Sequence, residues 1–271
     1  MSAPAIDFHL HSSFSGDSRA PMEDMIQSAI AKGLTHICFT EHIDKDFPTD
    51  HHENFSVDTP AYLETYTRLA EKYREQIHIY FGIELGLQPY LSGFYEQYIR
   101  QYPFDYCIGS SHLVDGKDPY YPDFFEGRDE AAVYERYFIS ILENLEAFSF
   151  IDTYGHLDYI VRYGPTQNQN YRYETYADIL DEILKKLIEK GIALECNTAG
   201  FRYGLGHPNP CEEILCRYHE LGGELLTLGS DGHAPQDAAH SYEKIGQLLR
   251  SCGFTHLTIF EKRRPRFFPL P

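Results

Sequence analysis

The chain has no apolar run longer than a few residues, so no segment of it is long enough to cross a bilayer as a helix. Basic residues are scarce: 23 Lys and Arg stand against 41 Asp and Glu among 271 residues, a formal net charge of −18. Such a chain repels a phosphate backbone, and its basic run, Arg263-Arg264-Pro265-Arg266, comes only near the end, which excludes a nucleic-acid-binding surface. The opening Met1-Ser2-Ala3-Pro4-Ala5-Ile6-Asp7 has neither a charged n-region nor a long apolar h-region, so no signal peptide is expected. Cys38, Cys107, Cys196, Cys211, Cys216 and Cys252 form no CxxC pair, and three of them lie in apolar, strand-like runs. All are expected to be reduced, buried small hydrophobes of a cytoplasmic protein. No Ser/Gly linker or break in composition divides the chain. What is present is ample core material, 42% hydrophobic and 15% aromatic, which excludes disorder, and an unusual amount of histidine, 14 residues.

A repeating unit runs along the chain: a short apolar run, a loop, then a longer amphipathic segment. The strand-like runs are Ala5–His11, Thr35–Glu41, His78–Leu85, Asp105–His112, Ile151–His156, Ile192–Asn197 and Glu224–Gly229. Helix-like segments lie between and after them, roughly Pro21–Lys32, Pro60–Gln76, Phe94–Gln101, Asp129–Phe148, Asp178–Lys190, Pro210–Leu221 and Ala238–Cys252. The first opens on proline and closes at Gly33, and Asp178–Lys190 closes at Gly191, the expected punctuation. Seven such repeats predict one α/β domain spanning 1–271, with a parallel sheet closed into a TIM-like (β/α)7 barrel. The alternative, a doubly wound open sheet, is weakened because no Gly-rich nucleotide fingerprint follows the first strand. His256–Phe260 is either an eighth strand or a strap over the bottom of the barrel.

Sorting the histidines by position in this framework separates them. His9, His11, His42, His112, His156 and His233 fall at or just past the C-terminal end of a strand, the rim that carries chemistry in such barrels. His36, His78 and His256 fall at strand starts, and His51, His52, His207, His219 and His240 in loops or helices. Carboxylates join the first set: Glu84 ends the third strand, Asp231 follows the seventh, and Asp17 lies on the loop after the first. His9 and His11, two apart on a strand, project to one face. A lone histidine at a strand end is ordinarily a hydrogen-bonded structural residue; the convergence from five strands is what points to a metal centre. Imidazole and carboxylate together suit Zn, Mn or Fe rather than Ca or Mg. Glu41, on the opposite face from His42, is expected to support or pack rather than ligate. The His51-His52 doublet is expected in solvent. Glu195 and Asn197 share one face, where either holds a site water or satisfies backbone groups.

In order, Asp7-Phe8-His9-Leu10-His11, Thr40-Glu41-His42, Gly82-Ile83-Glu84, Gly109-Ser110-Ser111-His112, Tyr154-Gly155-His156-Leu157-Asp158, Glu195-Cys196-Asn197-Thr198-Ala199-Gly200 and Gly229-Ser230-Asp231-Gly232-His233 resemble the motifs of the polymerase-and-histidinol-phosphatase (PHP) superfamily of metal-dependent phosphoesterases. The length, the Ser12–Asp17 loop and the ending Lys262–Leu270 resemble its stand-alone histidinol-phosphatases. The resemblance implies a distorted seven-stranded barrel holding three divalent ions. One would take His9, His11, Glu84 and Asp231; a second would share Glu84 and add His112 and His156; a third would take Asp17, His42 and His233.

Three such ions make the cavity a positive hole in an acidic chain, suited to a small phosphomonoester, histidinol phosphate on this resemblance. The expected reaction is in-line attack on phosphorus by a hydroxide bridging the Glu84-linked pair, with the ions offsetting phosphoryl charge. Arg162 and Arg202, on the same rim, are candidates for the substrate phosphate, with Asn197 beside them, the alternative for each arginine being a surface salt bridge. Leaving-group protonation falls to His233, Asp231 or a metal-bound water. Three rivals stand against this reading. A relative acting on another small phosphomonoester or nucleotide shares the chemistry. An amidohydrolase-type enzyme is disfavoured because no Lys ends a middle strand to bridge metals. A non-catalytic metal-binding domain would have no use for the two arginines.

Overall fold

The computed structural model describes residues 5–48 and 55–270; the His51-His52 doublet lies outside them. Seven strands, β1 (Ile6–Leu10), β2 (His36–Ile43), β3 (His78–Gly86), β4 (Tyr106–Ser110), β5 (Thr153–Tyr154), β6 (Ala193–Asn197) and β7 (Leu226–Gly229), form one parallel sheet in sequence order. The helices are α1 (Met22–Ala31), α2 (Thr59–Tyr73), α3 (Ser92–Ile99), α4 (Glu130–Ala147), α5 (Ala177–Lys190), α6 (Ala199–Arg202), α7 (Glu212–Glu220) and α8 (Tyr242–Ser251). Local chemistry sets several of their ends. Asp58 and Asp129 cap α2 and α4 by accepting from the backbone N–H of Ala61 and Ala132, and Gly191 ends α5 in the left-handed conformation at φ 67°.

The barrel closes through the loop after β7 rather than through a strand pair. Asp231 N–H donates to His9 O and His11 N–H to Gly232 O, each at 2.9 Å, with a parallel bridge between Leu10 and Gly232. This short seam and the two-residue β5 distort the barrel as expected. The β1–β2 register slips between Asp7 and Leu10. Phe8 then packs in the lower interior, against Tyr80 and Tyr106, while its neighbour His9 reaches the polar cage above. On β3 the alternation is regular: Phe81 packs against Tyr62 and Tyr66 of α2, and Glu84 faces the cage.

Two features complete the molecule. His256–Phe260 belongs to β8 (His256–Glu261), which pairs antiparallel with β9 (Arg264–Pro269) in a separate hairpin. Its Ile259 and Phe260 are buried with Ile6, Phe8, Tyr106 and Ala193, so the segment is a strap and plug rather than an eighth barrel strand. Within the basic run Arg263 turns inward and bonds Asp152 and Phe150 O, while Arg266 stays exposed and pairs with Glu261 at 2.6 Å. The expectation that all cysteines are reduced is corrected. Cys216 of α7 and Cys252 at the end of α8 form a disulfide, while Cys38, Cys107, Cys196 and Cys211 are free and buried. Helix packing brings together two residues 36 apart in sequence, a pairing with no local spacing signal. Among the described residues no helix is long and apolar enough to cross a membrane.

Candidate metal centre

The candidate ligands arrive at the C-terminal rim from β1 to β5 and β7 and the loops that follow them, and Glu84 stands at the middle. Its Oε1 lies 3.0 Å from His156 Nε2 and 3.3 Å from His112 Nε2, and accepts from Ser110 Oγ at 2.7 Å. Its Oε2 lies 3.0 Å from His42 Nδ1, 3.2 Å from His9 Nε2 and 3.5 Å from His11 Nε2. Asp231 Oδ1 is 3.7 Å from His9 Nε2 and 3.6 Å from both His11 Nε2 and His233 Nδ1. Asp17 Oδ2 is 3.0 Å from His233 Nε2 and 3.6 Å from His42 Nε2. The structure thus brings all nine predicted residues together. Four overlapping triads have donor atoms mutually within 4.8 Å: His11-His42-His233, His9-His11-Glu84, His9-His156-Asp231 and His42-Glu84-His112.

These residues fit divalent metal ions. Ligand bonds of about 2.0–2.2 Å at a tetrahedral ion set neighbouring donor atoms about 3.4 Å apart, the spacing seen here. His11 Nε2, His42 Nδ1 and His233 Nε2 are buried and make no hydrogen bond, which is costly for polar atoms with no further role.

The electrostatics are those of a site in which ions exchange with protons. Burial pushes the Glu84, Asp231 and Asp17 carboxyls up, yet the surrounding imidazoles hold all three well below the usual carboxylate range. Burial pulls His9 and His112 down, but carboxylates, Glu195 for the first and Asp44 for the second foremost, hold both well above an ordinary histidine. His42 is likewise pushed up to about 9 by Asp17 and Glu84 against burial. His11 goes the other way, lowered by burial and by its neighbours His233 and His42, whose rings stack on it at 4.1 and 4.2 Å. Metal binding displaces protons from such ligands.

Around the cage lies a layer of support that the sequence reading left open or missed. Glu195 Oε1 contacts His9 Nδ1 at 2.6 Å, and its Oε2 accepts from the backbone N–H of His156 at 2.7 Å, so it orients a candidate ligand rather than a water. Glu41 accepts from Ser12 and from Ser15 Oγ, and the same Ser15 hydroxyl lies 3.0 Å from His11 Nδ1. Asp44, outside every motif above, contacts His112 Nδ1 at 2.7 Å. Asp7 accepts from Ser230 N–H, Ser230 Oγ and Ala239 N–H, bracing the loop that carries Asp231. His156 and Asp231 both hold positive φ, 23° and 54°, a conformation that costs energy and is enforced by this packing. Glu195, Glu41 and Asp7 were signalled as carboxylates in strand-like runs, whereas Asp44, in His42-Ile43-Asp44-Lys45-Asp46, carried no such signal.

The three predicted substrate residues sit on one side of the cage. Arg162, in a short helical turn after β5, is buried; Nη1 donates to Asp231 Oδ2 at 3.0 Å, Nη2 to Asn197 Oδ1 at 3.1 Å and Nε to Asn209 Oδ1 at 2.8 Å. It lies between the rings of Tyr159 and Tyr203, 5.2 and 4.9 Å from their centres, and lines a cavity with His42, His112, His156 and His233. Arg202 of α6 donates to the backbone carbonyls of Ser230 and Asp231, at 3.1 and 2.8 Å, and lines the outer cleft that continues from that cavity. Neither is a surface salt bridge. Asn197 spends its amide on Arg162, Ala199 N–H and Glu195.

Known proteins resemble this chain in sequence and fold. A histidinol-phosphatase of Lactococcus lactis is 33% identical over 261 residues, covering 94% of each chain. A probable histidinol-phosphatase of Clostridium acetobutylicum is 32% identical over 96% of this chain and 98% of its own. The crystal structure of histidinol phosphate phosphatase from Lactococcus lactis, complexed with zinc, L-histidinol and phosphate, superposes with a TM-score of 0.90 at 32% identity, covering 96% of this chain and 98% of that one. Residues 7–199, which carry all of the cage except Asp231 and His233, match the PHP domain family, and the chain belongs to that family.

Proposed function

We propose that the chain, as one phosphoesterase domain over 1–271, is a metal-dependent phosphoric monoester hydrolase that converts L-histidinol phosphate and water to L-histidinol and inorganic phosphate in the cytoplasm, a step of histidine biosynthesis. The observation that carries this reading is one buried carboxylate, Glu84, within 3.5 Å of five imidazoles at the head of a PHP barrel. The cofactors are three divalent transition-metal ions, Zn, Mn or Fe, held by His9, His11, Asp17, His42, Glu84, His112, His156, Asp231 and His233. When bound they acidify water toward neutral pH and offset phosphoryl charge.

The chain's own groups complete the reaction. Arg162 presents its planar fork to the cavity from between Tyr159 and Tyr203, and Asn197 fixes that fork through its Oδ1. Together with Arg202 this makes the wall for the phosphoryl oxygens. Asp231 is tied to Arg162 and to the imidazoles, which keeps it ionised beside the reacting phosphate. His233, a quarter exposed and 3.0 Å from Asp17, faces the departing alkoxide, which takes its proton from water, because an imidazole committed to holding an ion has none to give.

The deciding experiment is a steady-state assay of phosphate release from histidinol phosphate and a panel of phosphomonoesters, in metal-supplemented and chelated buffer. The expected result is selective turnover of histidinol phosphate that chelation abolishes and added metal restores. Equal rates across the panel would remove the substrate, and turnover that survives thorough chelation would remove the chemistry.

A further inference from the structure

Asp44 stands two residues beyond His42, just past β2, and is 5% exposed. Its Oδ1 lies 2.7 Å from His112 Nδ1, while the opposite ring nitrogen, Nε2, lies 3.3 Å from Glu84 Oε1. Its Oδ2 makes no hydrogen bond; among the described residues it is the one buried carboxylate oxygen of which that is true. That oxygen is 3.7 Å from His42 Nδ1, itself buried without a hydrogen bond. One carboxylate therefore stands between imidazoles delivered by two different strands. The neighbouring strand leaves room for it, since a Cβ at Gly86 would collide with the Asp44 carboxylate. Glu195 differs in this respect, having both oxygens taken up by His9, the His156 N–H and Asn197.

A neutral imidazole carries its proton on one nitrogen only, and the hydrogen bond made by one nitrogen decides what the other can offer. A carboxylate oxygen accepts, so the 2.7 Å contact at Nδ1 puts the proton there and leaves the Nε2 lone pair directed at the Glu84 cage. We propose that Asp44 is a positioning residue of the metal centre, holding His112 as the Nδ1–H tautomer with Nε2 turned to the ions. The proposal rests on the reading that the cage takes divalent ions, but not on the identity of the phosphoester.

The test uses the full chain and zinc alone. Long-range 15N–1H spectra of the histidine rings in the zinc-loaded parent are expected to show His112 protonated at Nδ1; protonation at Nε2 would overturn the proposal. Competition titration with a chromophoric chelator then reads zinc affinity in Asp44→Ala and Asp44→Asn, with circular dichroism of the metal-free proteins as the control for folding. Asp44→Ala is expected to weaken the affected ion about 10–100-fold, and Asp44→Asn, which keeps an oxygen acceptor for Nδ1–H, to stay within a few-fold of the parent. Parental affinity in the Ala variant, or an Asn variant as weak as Ala, would overturn the positioning role. A parent that binds zinc yet leaves histidinol phosphate intact would instead refute the substrate reading, and a parent that binds no zinc would refute both.

Discussion

Replacing Glu84 by Gln is the sharpest perturbation of the cage, because it removes a charge while leaving the volume and the Ser110 contact in place. The side chain is wholly buried, so no water can stand in for the lost charge. In the metal-free chain Glu84 is a principal counter-charge for His9, His42 and His112. Breaking a buried charge pair costs about 3–5 kcal/mol when the stranded partner stays charged. Here the partner has an escape. His42 is held near 9, so releasing its proton at pH 7 costs about 3 kcal/mol, and the loss at this one partner is capped near that figure. For a chain of this size that corresponds to a fall in Tm of roughly 5–10 °C. The holoprotein loses more, since the carboxylate that contacts five imidazoles disappears from the triads it shares. We expect at least two ion equivalents to be lost on dialysis and kcat/KM to fall by at least about 10³-fold. Calorimetry, elemental metal analysis and phosphate release read the three effects separately. Glu84→Ala should lose metal and turnover at least as completely. A Gln variant that keeps its full metal content and parental turnover would refute the reasoning.

Other outcomes follow from the same contacts. Arg162→Lys retains the charge but cannot reach Asp231, Asn197 and Asn209 at once, so kcat/KM for the phosphomonoester should fall by about 10²-fold or more; a Lys variant at parental rate would exclude the fork. Reduction of Cys216–Cys252 should destabilise the chain by about 3–4 kcal/mol, from release of a 36-residue loop, and Cys216→Ser should abolish the sensitivity of Tm to reductant. Six titratable thiols in the denatured, unreduced protein would contradict the bond. His36, stacked on His78 at 4.8 Å, is pushed down to about 4 by burial and by that neighbour. Between pH about 6.5 and 4 the unfolded chain therefore binds the extra proton, so this contribution is present at neutral pH and is lost as pH falls through that window. Allowing for partial exposure it amounts to about 1–2 kcal/mol, and urea midpoints of His36→Gln should fall less than those of the parent between pH 7 and 4.5.

The positions of the seven strands were legible because each is a short apolar, β-rich run bounded by turn residues, a local pattern that needs no knowledge of the rest of the chain. The cage followed from it: once His9, His11, His42, Glu84, His112, His156 and Asp231 are seen to end successive strands, barrel geometry alone sends them to one rim. Glu41 was likewise placed correctly, by its alternation with His42. Partners across the barrel were not legible. That Asp44 meets His112, that Glu195 meets His9, that Arg162 is sunk onto Asp231 and Asn197, and that Cys216 finds Cys252 each depends on closure of the sheet and docking of its helices. The hairpin of His256–Phe260 depends on the same thing, since an apolar run reads alike whether it lengthens the barrel or plugs its base. Sequence periodicity determines the face to which a side chain points; which atom it meets there is decided only when residues distant in the chain come within a few ångströms.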